Sequence, residues 1–129
     1  MPGGKGRFKV LVMEQEDDLR HWLGRLLAQT AGFEVVGFLG KDAELASEAR
    51  RLSPHLILLD THSASRLAPG ALARLRQEVP GIYVVLMDLE EGPGYERLAQ
   101  KAGADGFLSK ARVPESLDRL RTQLAGRKA

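Results

Sequence analysis

The sequence predicts a single α/β domain, a doubly wound five-stranded parallel sheet with five helices spread over both faces. Three observations carry the prediction. Short apolar runs of strand length alternate with longer stretches at helical spacing. The runs are apolar throughout, as strands covered on both faces are. Strands and helices alternate one for one, which calls for parallel strands joined by right-handed crossovers. At 129 residues the chain is long enough to bury one such core.

The expected strands are Phe8–Met13, Phe33–Phe38, His55–Leu59, Ile82–Met87 and Gly106–Leu108. The first helix starts at Asp17 or Asp18, residue types that cap N-termini. It carries Leu19, Leu23, Leu26 and Leu27 on one face and stops at Gly32. The second follows Asp42 as its cap, with Leu45, Ala49 and Leu52, and ends before Pro54. The third holds Leu72, Leu75 and Val79 and stops at Pro80-Gly81. The fourth, with Tyr95, Leu98 and Ala102 at helical spacing, closes at Gly103. The fifth begins at Pro114, a favoured first-turn residue, and buries Leu117, Leu120 and Leu124 before Gly126. Met1–Gly6 is rich in glycine and proline, so residues 1–7 are expected to be a disordered tail, 8–126 the domain and 127–129 a second tail.

Composition narrows the function classes. Cysteine is absent, which removes disulfides, thiol catalysis and cysteine-ligated zinc. Net charge is only +2, with Lys and Arg scattered among acids, so direct nucleic-acid binding is not expected. No apolar run approaches the ~20 residues of a membrane span. The Phe8–Met13 run is too short for a signal peptide and ends in Glu14, so the expected compartment is the cytoplasm.

In a doubly wound sheet the functional crevice lies outside the carboxyl ends of the strands. The first strand ends in Glu14-Gln15-Glu16-Asp17-Asp18, the third in Asp60-Thr61-His62, the fourth in Met87-Asp88 and the fifth in Ser109-Lys110. Strands one, three and five lie close enough for Glu14, Asp60 and Lys110 to converge. Two carboxylates and an ammonium could hold a magnesium ion and a phosphoryl group. Singly, each is read more simply as a solvated loop charge or a helix cap. Together, in this order of elements, convergence is the better reading.

Three segments resemble the receiver domains of response regulators. Lys9-Val10-Leu11-Val12-Met13-Glu14-Gln15-Glu16 is similar to their first strand and acidic pair. Pro54-His55-Leu56-Ile57-Leu58-Leu59-Asp60 looks like the third strand with its phosphoacceptor aspartate. Gly103-Ala104-Asp105-Gly106-Phe107-Leu108-Ser109-Lys110, the most specific block, resembles the fifth strand with the family lysine. The resemblance spans Phe8 to Gly126 and implies a flavodoxin-like fold with strand order 2-1-3-4-5. It also implies that Asp60 accepts the phosphoryl group and that Lys110 contacts it. Met87 and Phe107 would be the switch residues. Magnesium would take Asp60, the backbone carbonyl of His62 and the second residue of the acidic pair, which here is Gln15, with Glu14 helping through water.

The chain departs from that pattern around one pocket. Gln15 is a neutral amide where a hard cation wants a carboxylate, so any magnesium site is expected to be weak. Met87 stands where the family has Thr or Ser, and a thioether donates no hydrogen bond. Thr61-His62-Ser63-Ala64-Ser65 replaces the usual Met-Pro and later Gly. Glu16 could swing toward the metal but is not expected to.

Asp60-Thr61-His62 also echoes the start of cobalamin-binding domains. Those need Gly where this chain has Ser65, and they carry the motif after a first strand. A nucleotide site would want a Gly-rich turn after the first strand, where this turn is acidic. Gly92-Pro93-Gly94 reads as a connector, and His21 and His55 as structural. The preferred expectation is a stand-alone atypical receiver, not an enzyme, that signals through protein contacts with weak or no phosphorylation at Asp60. Its partner (a sensor kinase, an output protein or a second copy) would meet the face of the fourth helix, fifth strand and fifth helix. That face presents Arg97, Lys101, Asp118, Arg119 and Gln123. The alternatives are a genuine magnesium-dependent phosphoacceptor of a phosphorelay, with Glu14 and Glu16 on the metal, and a small flavodoxin-like ligand-binding domain.

Overall fold

The structure, a computed structural model, describes residues 7–40, 44–90 and 92–128. In chain order the elements are β1 (Phe8–Met13), α1 (Asp17–Gln29), β2 (Phe33–Leu39), α2 (Leu45–Leu52), β3 (Leu56–Asp60) and α3 (Thr61–Ala64). They continue with α4 (Ala71–Glu78), β4 (Tyr83–Asp88), α5 (Pro93–Lys101), β5 (Gly106–Ser109) and α6 (Val113–Lys128). All four strand pairings are parallel and the sheet runs β2-β1-β3-β4-β5, the expected order. The Asp42 cap and residues 1–6 of the expected tail lie outside the described residues.

Period-two alternation along the strands builds two cores, one on each face of the sheet. Val10, Val12, Leu56, Leu58, Val85, Met87 and Leu108 pack under α1 (Leu23, Leu27) and α6 (Leu117, Leu120, Leu124). Leu11, Met13, Ile57, Leu59, Val84 and Leu86 pack under α2 (Leu45, Ala49), α4 (Leu75) and α5 (Ala99). Each buried Leu or Val contributes about 1.5–3 kcal/mol of transfer free energy, so both faces are held mainly by apolar burial. His55 is structural as expected. Its Nδ1 accepts a 2.9 Å hydrogen bond from the Lys9 amide, and its ring meets Phe8 edge-on.

Four local readings need correction. The one-turn helix α3 was not expected, because four residues are too few to show a helical period. Asp17 and Asp18 do not cap α1. Glu16 is its N-cap and makes no side-chain bond, while the two aspartates sit in the first turn, where the helix dipole favours them. Leu98 and Ala102 do not face inward. Leu98 is 59% exposed, and Ala99 is the α5 residue that seals against the sheet. Finally, α6 runs through Gly126 to Lys128, so 127 and 128 are helical and not a tail. Gly126 has open space around it and keeps a helical backbone. Gly103 does end its segment as expected, in a left-handed conformation (φ +91°) that suits glycine.

Candidate functional site

The site follows from the same alternation. Glu14 continues the Val10–Val12 row, Asp60 the Leu56–Leu58 row and Lys110 the row of Leu108. All three therefore emerge over the α1/α6 face at the carboxyl edge of the sheet. Register places Met87 directly beside Asp60 on the neighbouring strand. The Lys110 amide donates to the Asp88 carbonyl at 2.8 Å, which anchors the lysine backbone to the end of β4.

The three expected residues converge. Lys110 Nζ lies 2.7 Å from Asp60 Oδ1 and 2.9 Å from Glu14 Oε1. All three side chains are 8% exposed or less. Asp60 Oδ1 accepts a hydrogen bond from the ammonium, whereas Glu14 Oε1 meets it as an ion pair without hydrogen-bond alignment. The second oxygens are engaged by backbone. Asp60 Oδ2 accepts the Ser63 amide at 3.3 Å, which makes Asp60 the N-cap of α3, and Glu14 Oε2 accepts the Glu16 amide at 3.1 Å. Burial pulls the Lys110 pKa down, but the hydrogen bond to Asp60 and the charges of Asp60 and Glu14 outweigh it and hold it above the usual lysine value. The ammonium thus stays charged, with two carboxylates around it.

The other expected residues fall elsewhere. Gln15 has the opposite parity, that of Leu11 and Met13. It lines a cleft on the α2/α4 face. The His62 carbonyl accepts the Ser65 hydroxyl at 2.8 Å. Glu16 is exposed. Among the described residues no group of three His, Asp or Glu is arranged to hold a metal ion. With Gln15 neutral, the His62 carbonyl engaged and both carboxylates on Lys110, the residues present fit magnesium poorly. Met87 is fully buried in the α1/α6 core. Phe107 is half-buried, its ring 5.9 Å from that of Tyr95 on α5.

Sequence reading gave no role to Thr61 and Asp88, which the structure joins. The Thr61 hydroxyl donates to Asp88 Oδ2 at 2.5 Å, tying the start of α3 to the end of β4. Partial burial raises the Asp88 carboxyl, but the Thr61 hydroxyl, backbone amides and the Lys110 charge together hold it below the usual carboxylate range. A hydroxyl beside a strand-end carboxylate was the available signal, but no spacing rule joins residues 27 positions apart. On the expected contact face, Phe107, Arg119 and Gln123 line a groove with Glu96 and Gln100. Arg97 and Lys101 are exposed on α5. Asp118 instead pairs with Arg121, whose guanidinium also donates to the Ala31 carbonyl at the end of α1.

No protein-family model matches the chain. Among curated proteins it is similar to the response regulator GacA of Pseudomonas protegens, 34% identical over 122 residues, which is 93% of this chain and 57% of that protein. It is also similar to a protein-glutamate methylesterase/protein-glutamine glutaminase of Anaeromyxobacter dehalogenans, 30% identical over 85% of this chain but 32% of that protein. The chain thus spans little more than half the length of GacA, and a third of the methylesterase. Of solved structures, the response regulator domain of Thermotoga maritima CheB superposes with a TM-score of 0.70 at 23% identity, covering 92% of this chain and 97% of that one. No helix among the described residues is long and apolar enough to cross a membrane. Similarity to response regulators over nearly its whole length, and a fold shared with their solved domains, place the chain in the receiver-domain family of two-component response regulators.

Proposed function

We propose that this receiver domain signals through protein contacts in the cytoplasm, with Asp60 weakly phosphorylated or unmodified and with weak magnesium binding. The observation that carries the reading is the buried Glu14–Lys110–Asp60 cluster, in which one ammonium lies within 2.9 Å of both carboxylates. A phosphoryl donor would have to compete for an aspartate whose two oxygens are already engaged. It would find Met87 where a hydroxyl would otherwise stabilise the product. An unmet charged acceptor costs roughly 1–3 kcal/mol, one to two decades in the modification equilibrium.

The contact surface is the α5–β5–α6 face. Leu98 is 59% exposed on α5, the helix that also presents Arg97 and Lys101, and α6 adds the exposed Arg119. Its role is recognition and not catalysis. Incubation with acetyl phosphate and magnesium, followed by intact-mass measurement, tests the reading. Slow, partial addition of one phosphoryl mass is expected. Rapid and near-complete modification that disappears in Asp60→Asn overturns it.

A further inference from the structure

On the α2/α4 face, opposite the ion cluster, the structure carries a cleft of about 360 Å³. Its wall includes Gln15, Ser63, Arg66 and Arg74, with Leu45 and Leu67 as apolar lining. Ser63 is 2% exposed and its hydroxyl has no hydrogen-bond partner. A buried hydroxyl without a partner is costly and marks a position that a ligand could satisfy. Arg66 and Arg74 are exposed and make no ion pair or side-chain hydrogen bond among the described residues. Two helices, α2 and α4, begin at the rim of the cleft, and neither has a side-chain cap. The Leu45 and Ala46 amides of α2 and the positive ends of both dipoles therefore face this space, whereas the Ala71 amide of α4 already donates to the Ala68 carbonyl at 3.0 Å. Among the described residues the one carboxylate in the lining is that of Glu44, which is exposed.

We propose that this cleft binds a small organic phosphate, a monoester of metabolite size. Two guanidinium groups, two helix N-termini, a hydroxyl and the Gln15 amide offer more donors than a carboxylate can use, and a phosphate dianion can take them. Leu45 and Leu67 would cover the organic part. The Ser63 amide already donates to Asp60 Oδ2, so the ligand and the ion cluster share one residue. The proposal goes beyond the function proposed above and does not require phosphorylation of Asp60.

The test is an amide-NMR titration with three probes: phenyl phosphate, inorganic phosphate and phenol. Intact mass is measured alongside, to keep binding separate from phosphoryl transfer. Phenyl phosphate is expected to give saturable shifts centred on Leu45, Ala46, Ser63 and Ala71 with no mass change, and inorganic phosphate weaker shifts at the same amides. Each of Arg66→Ala and Arg74→Ala, both at exposed positions, should weaken binding by about tenfold, the loss of one charge-assisted contact. Ser63→Ala should weaken it several-fold, and Glu44→Gln should tighten it. The absence of saturation at millimolar phenyl phosphate overturns the proposal. Equal binding of phenol, or full binding by the Arg66→Ala/Arg74→Ala double variant, does the same.

Discussion

Replacing Lys110 by methionine keeps most of the side-chain volume and removes the ammonium that Glu14 and Asp60 share. Both carboxylates are nearly inaccessible, at 1% and 6% exposure, and would be left side by side without a counter-ion. Removing one partner of a buried pair costs about 3–5 kcal/mol. The cluster lies at the carboxyl edge of the sheet, not in mid-core, so the lower end applies. At roughly 4 °C per kcal/mol for a domain of this size, ~3 kcal/mol lowers Tm by about 12 °C at pH 7.

The loss has a pH signature. In the variant, mutual repulsion and burial raise one carboxyl above its unfolded value of about 4. The folded state then keeps a proton that the unfolded state has released. Stability must therefore rise as pH falls from the raised folded value toward ~4. In the native protein the sign concerns the lysine. Its pKa is raised on folding, so its contribution is complete below the ordinary lysine value and is lost as pH climbs through the higher folded one. Urea melts followed by circular dichroism between pH 4 and pH 9 would measure the effect in the variant, and across that range the lysine contribution of the native protein should stay constant. The triple variant Glu14→Gln, Asp60→Asn, Lys110→Met should recover most of the loss, because no charge is left unpaired. A Lys110→Met protein within about 1 kcal/mol of native at pH 7, with a flat pH profile, would refute the reasoning and show the cluster to be screened by solvent.

Because the Gln15 side chain lines the α2/α4 cleft and not the Asp60 cluster, Gln15→Asp should leave the weak magnesium affinity unchanged, read by calorimetry or Trp22 fluorescence; clearly tighter binding would show that residue 15 reaches the Asp60 site. Beryllofluoride with magnesium should perturb native amides only around Asp60. In a Met87→Thr variant the changes should extend to Tyr95–Ala102 and Phe107, because only a hydroxyl rewards the switched state. Long-range changes in the native protein would reverse the ranking of weak and working phosphorylation. Ser53 closes α2 in a left-handed conformation (φ 50°), so Ser53→Gly should stabilise by roughly 0.5–1 kcal/mol in the same urea melts, and a loss would contradict the strain assigned there.

Much of this was legible in the sequence, because apolar period and strand order are local properties. Runs such as Val10–Met13 and Leu56–Leu59 identify buried parallel strands without knowledge of any partner. Glu14, Asp60 and Lys110 then fall at strand ends that the topology must bring together. What only the tertiary structure decided depends on side-chain direction and on long-range contact. Glu14 and Gln15 are neighbours in sequence, yet alternation sends one to Lys110 and the other to the opposite face. Lys110 could have met a ligand or a carboxylate, and its position between two buried carboxylates is set by the depth of three different strands. Leu98 matches the helical period but is exposed, because the register of α5 against the sheet presents Ala99 instead. Asp60 caps α3, and Thr61 bonds Asp88 across 27 residues, through distances that no spacing rule contains. The pattern of apolar residues determined which elements form and in what order, whereas the packing angle and depth of those elements decided which polar groups meet.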